Sequence, residues 1–117
     1  MNACGYYQRR PKMNNQFKTK LQVVRECAED VASIFGIHPD DILKQTRGSP
    51  KECAARFCVY ERLRKRKWSY PQIGTTMNRD HQSILSGVRR IKDARTNPNN
   101  VYYEYLQEVL PKLDRPS

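Results

Sequence analysis

No run in this chain approaches the ~18 consecutive apolar residues that a membrane-crossing helix requires. Met1 to Gln22 hold no apolar core of the kind a secretory signal carries. These absences lead to the expectation of a cytoplasmic protein with no membrane partner. The four cysteines, Cys4, Cys27, Cys53 and Cys58, form no Cys-x-x-Cys pair and have no closely spaced histidines beside them. Zinc sites need such spacing, so no metal is expected. A disulfide framework needs an oxidising compartment, for which nothing argues. No Gly-x-x-x-x-Gly-Lys-[Ser/Thr] loop occurs, which excludes a P-loop nucleotide site within these residues. His38 and His81 lie far apart, with no serine or cysteine motif around either. No catalytic residue, no cofactor and no enzyme activity are expected. Nor does any segment alternate apolar and polar residues with a period of two, so sheet is not expected.

What is present is positive charge. The 117 residues carry 22 Lys and Arg against 12 Asp and Glu, a net charge of +10. That length suits one domain of the common ~100–150 residues. A basic balance points to nucleic acid, an anionic membrane surface or an acidic protein partner. Residues 1–20 contain Arg9, Arg10, Lys12, Lys18 and Lys20, no acidic residue and no apolar periodicity. Such a composition cannot bury enough surface to offset chain entropy. Residues 1–20 therefore read as a basic flexible arm and residues 21–117 as a helical domain.

From Leu21 the apolar residues Leu21, Val24, Ala28, Val31 and Phe35 recur at helical spacing, and Gly36 offers the left-handed position that ends a helix. Pro39, Asp40 and Asp41 suit the first turn of a short second helix. Ser49-Pro50-Lys51-Glu52 is a capping box, and the helix it opens should carry Cys53, Phe57, Tyr60 and Leu63 inward. Ser69-Tyr70-Pro71-Gln72 repeats the same logic for a fourth helix reaching about Met77. Asp80 suits the N-cap of a fifth helix, with Ile84, Leu85, Val88 and Ile91 as its buried stripe. After Thr96–Asn100 a last helix places Tyr102, Tyr105 or Leu106, Val109 and Leu113 on one side, with Pro111 fraying its end. Tyr102, Tyr103 and Tyr105 read as core rather than as a dimer surface. The sum is an all-α domain of about six helices.

The run from Asn78 to Ser86 is polar and opens an apolar-striped helix. Two helices joined by a tight turn, the second beginning with donors and acceptors, are what reading a DNA major groove requires. Lysine and arginine would supply the affinity for phosphate.

Three segments in order carry a resemblance: Val31-Ala32-x-x-Phe35-Gly36-Ile37-x-Pro39-x-Asp41-Ile42-Leu43, then Pro71-x-Ile73-Gly74, then Arg79-Asp80-His81-x-Ser83-Ile84-Leu85. Together they resemble the C-terminal DNA-binding domain of the bacterial replication initiator DnaA, over roughly residues 21–113. The resemblance implies a Trp-repressor/DnaA-type fold with a central helix-turn-helix. It implies that the helix opening with Arg79, Asp80, His81, Gln82 and Ser83 enters the major groove. Asp80 would accept from a cytosine amino group, His81 would donate to a purine or thymine, and Gln82 would pair with adenine. Arg47, in the basic loop after the second helix, matches the arginine that enters the minor groove. Pro71 opens the preceding helix, and Lys51, Arg56, Arg64, Lys65, Lys67 and Arg79 would hold phosphates.

Two departures accompany it. Met77-Asn78 stands where the family has a small pair, and asparagine tolerates the left-handed conformation a tight turn needs. Gln82 stands where the family has a small hydroxyl residue, which argues for a different target sequence. The expected function is sequence-preferring binding of double-stranded DNA without an ATPase. That fits a regulator of transcription or replication initiation, phage- or plasmid-encoded. The alternative is an interaction module or inhibitor acting on an acidic partner or the host replication machinery, as a monomer or homodimer.

Overall fold

Helix boundaries in the computed structural model, which describes residues 18–113, follow the capping residues closely. The elements are α1 Lys20–Phe35, α2 Pro39–Leu43, α3 Pro50–Lys65, α4 Tyr70–Met77, α5 His81–Ala94 and α6 Tyr103–Leu113, and no strand occurs among the described residues. The all-α expectation of about six helices holds. Both expected capping boxes form, Ser49 with Glu52 and Ser69 with Gln72. Gly36 closes α1 in the left-handed conformation, at φ 73°.

Some expectations shift. A third capping box, Thr19 with Gln22, starts α1 at Lys20, the last residue of the expected arm. Residues 1–17, the rest of the expected arm, lie outside the described residues. Leu21, counted on the apolar face of α1, is 67% exposed. Being in the first turn, it lies beyond the edge of the core that Val24 and Ala28 enter. The α6 helix runs through Pro111 to Leu113, because a proline this close to the end removes only a bond in the last turn.

The core is organised around α3, which packs against every other helix. A helix surrounded in this way has little outward face, so its buried set runs from Cys53 through Ala55, Cys58, Val59 and Tyr60 to Leu63 and even includes Arg56 and Glu61. Glu61 is matched by Arg95 at 2.7 Å. The α5 stripe of Ile84, Val88 and Ile91 is fully withdrawn from water, each side chain contributing about 1.5–3 kcal/mol of transfer free energy. Gly87 lets α5 come close to α3: a Cβ there would lie 2.6 Å from Cδ1 of Phe57. Tyr102 closes this end of the core, its ring edge-on to Phe57 at 5.5 Å. The result is an α5 whose first turn emerges beside the loop between α2 and α3.

Candidate nucleic-acid interface

The turn from α4 to α5 is short because three local features agree. Asn78 adopts the left-handed conformation, φ 57° and ψ 50°. The Arg79 N–H donates to the Gly74 carbonyl at 2.8 Å. Gly74 has no side chain where the chain recrosses α4: a Cβ there would lie 2.5 Å from the Arg79 carbonyl oxygen. Any larger residue would push the turn away and rotate the start of α5.

At that start Asp80 holds the N-cap position with extended backbone but makes no side-chain cap bond. Its carboxylate is 65% exposed and stands 3.9 Å from Nδ1 of His81, itself 53% exposed. Gln82 and Ser83 complete an exposed first turn. Asp80 is therefore an N-cap by position and backbone, with its acceptor atoms turned to solvent.

The loop 44–48 is held from inside. Arg56 lies in α3 with 3% exposure. Its Nε donates to the Ile42 carbonyl at 2.8 Å, Nη1 to Arg47 at 2.9 Å, and Nη2 to Thr46 at 3.1 Å and Asp41 at 3.4 Å. Burial pushes its guanidinium below the ordinary arginine value, with the nearby Arg79 charge acting in the same direction. The Cys53 thiol also donates to the Arg47 carbonyl, at 3.2 Å, and Nη2 of Arg79 donates to the Lys44 carbonyl. Gln45 Nε2 reaches the Met77 carbonyl at 3.4 Å, which ties the loop to the end of α4. With its carbonyls drawn inward, the loop leaves the Arg47 residue exposed.

This overturns one expected role. Arg56 is not a surface phosphate contact, because it is buried and its donors face the loop's own carbonyls. Arg79 is intermediate: half-buried, tied to Lys44, with an Nε that is buried and has no partner. Arg64 stacks over Tyr70 at 4.3 Å and donates to the Trp68 carbonyl at 2.7 Å, so it braces the α3–α4 connection. Lys65 and Lys67 are exposed at the far end of α3, with Lys67 left-handed at φ 74°. The length of α3, roughly 21 Å from Lys51 to Lys65 at 1.5 Å per residue, separates them from the Arg47 loop.

Two concave surfaces flank the first turn of α5. The larger, of about 470 Å³, has Gln45 and Arg47 on one wall and Gln82, Ser83, Ser86 and Arg90 on the other, over a floor that includes Arg56, Tyr60 and Arg79. No acidic residue lines it. The smaller lies between α4 and α5 and brings Pro71, Gly74, Asp80 and His81 together. Arg79 borders both. Of the residues expected from sequence, Arg47, Arg79, Gln82 and Ser83 thus share one basic surface, with Pro71, Asp80 and His81 on the adjoining flank. Gln45, Ser86 and Arg90 were not anticipated. The spacing 82, 86, 90 on one helical row could have found the last two.

Comparison with known proteins gives a consistent likeness. The chain is similar to part of the replication initiator DnaA. It is 26% identical over 95 residues to the chromosomal replication initiator protein DnaA of Thermotoga maritima, covering 81% of this chain and 22% of that protein. It is 23% identical over 97 residues to DnaA of Thermosipho melanesiensis, covering 83% and 22%. It is 25% identical over 100 residues to DnaA 1 of Chlamydia pneumoniae, covering 82% and 20%. The chain thus spans about a fifth of the length of these relatives. No family model and no solved structure matches it.

Proposed function

We propose that this DnaA-like chain is a sequence-preferring binder of double-stranded DNA. In this reading α4 and α5 form a helix-turn-helix, α5 lies in the major groove with Asp80, His81, Gln82 and Ser83 at the base edges, and Arg47 enters the neighbouring minor groove. One observation carries it: Arg47 and the Gln82–Ser83 edge form opposite walls of one concave surface without an acidic group. An acid-free surface attracts phosphate, and two projecting walls suit two neighbouring grooves. The partial likeness to a replication initiator supports a role in controlling replication or transcription from bound DNA. A chromosomal, cytoplasmic location goes with that role.

Selection from a random duplex pool gives the preferred site. Arg47→Ala should then weaken binding to it by ~1–3 kcal/mol and relax preference for an A·T-rich flank. Lys92→Ala, exposed on α5 but outside the cleft, should lower affinity slightly and evenly across sequences. Equal behaviour of the two variants on preferred and random duplex would overturn the two-groove reading. Binding to a partner that is indifferent to salt, with no duplex selected, would favour a protein-interaction module instead.

A further inference from the structure

Adjacent major and minor grooves are separated by one sugar–phosphate strand. A protein with a helix in one groove and a loop in the other must straddle that strand. The concave surface between the 44–48 loop and α5 lies between the two elements that would do so. Its walls offer an arginine on each side, Arg47 and Arg90, and hydroxyl donors from Ser83 and Ser86. Gly87, packed tightly on Phe57 and Tyr60 of α3, fixes how close this face of α5 comes to the floor of the cleft.

Arg90 is exposed and stands on the same helical row as Gln82, about 12 Å further along α5. That distance exceeds half the ~12 Å width of the major groove. With Gln82 at the base edges, Arg90 is therefore placed at the groove's border and not at a base. We propose that this cleft seats the strand between the two grooves and that Arg90 holds one of its phosphates. The assignment rests on the two-groove reading above and adds to it a seat for the backbone and a residue that grips it.

The test compares Arg90→Ala with Arg89→Ala, a neighbouring exposed arginine that does not line the cleft. Both side chains are exposed, and thermal melting checks that both variants fold. Each is titrated against the selected duplex and against a random duplex over a salt series. A second set of duplexes carries a single neutral methylphosphonate, walked along each strand. Arg90→Ala should lose roughly fivefold in affinity on both duplexes and shift the log–log salt slope by about one. One methylphosphonate position, between the base pairs read by α5 and the flank read by Arg47, should weaken the wild type and Arg89→Ala yet leave Arg90→Ala unchanged. If Arg90→Ala matches Arg89→Ala at every position while the wild type still prefers its site, the seat is wrong and the two-groove reading stands. If the wild type selects no duplex at all, both fall together.

Discussion

At the start of α4, Ser69 Oγ accepts from the Gln72 N–H at 3.1 Å and Gln72 Oε1 accepts from the Ser69 N–H at 3.3 Å. At the start of α5, Asp80 holds the same position with the same extended backbone and makes no such bond. The first turn of α5 closes on backbone, with the Ser83 N–H donating to the Asp80 carbonyl at 3.0 Å. The α1, α2 and α3 starts behave like that of α4: Thr19, His38 and Ser49 all accept from their first-turn N–H groups. The loop before α3 is similarly self-satisfied, its carbonyls turned to Arg56 and Arg79. Polar side chains at those places are occupied by the fold. Those at the start of α5 remain available to another molecule, and they border the basic cleft.

The largest effect should come from undoing the inward side of this contrast. Arg56→Ala leaves the carbonyls of Asp41, Ile42, Thr46 and Arg47 without their shared donor, and should cost about 3 kcal/mol of stability in chemical denaturation. A variant as stable as the wild type would mean that the loop does not depend on this guanidinium. Gly74→Ala comes next, at about 2 kcal/mol, since a Cβ meets backbone and not a movable side chain. Specific DNA binding should fall by more than the loss of folded protein explains, because α5 changes its angle.

A sharper comparison sets Ser69→Ala against Asp80→Ala. Removing the working cap should cost about 1 kcal/mol of stability. Removing the unengaged carboxylate should change stability by less than about 0.5 kcal/mol, while specific binding weakens by ~1–3 kcal/mol. Equal stability losses would show that Asp80 caps α5 after all. The smallest effect is electrostatic. Lys44, at 2.9 Å, and the Ser49 N–H hold the Glu52 carboxyl below its ordinary value. A depressed carboxyl contributes stability that is present above the ordinary glutamate pKa and lost as pH falls through the folded one. Glu52→Gln, which can still cap, should therefore melt slightly earlier than the wild type at neutral pH, and the gap should close in acid. A gap that persists in acid would assign the difference to packing and not to the Lys44 pair.

Much of this arrangement was legible beforehand where it depends on neighbours in sequence. The capping boxes at Ser49 and Ser69, the left-handed Gly36 and Asn78, and the stripe of Ile84, Val88 and Ile91 are all local. So was the exposed polar run from Asp80 to Ser83. Arg56 was misread because charge in a sequence is taken as surface, and periodicity gives no warning for a helix with other helices on all sides. The Thr19 box was missed because the basic residues before it masked the helix start. His38 was passed over as a cap because histidine is an uncommon residue for that job.

The sequence by itself determined the all-helical class, where most helices start and stop, and that the α4–α5 turn would be tight. These depend on backbone conformation and on hydrogen bonds between residues a few positions apart. Which cations face solvent, and that Arg47 and Gln82 share one concave surface, only the tertiary structure decided. The reason is the position of α3: packing it at the centre turned Arg56 inward, drew the loop's carbonyls with it, and brought two segments distant in sequence to either side of one cleft.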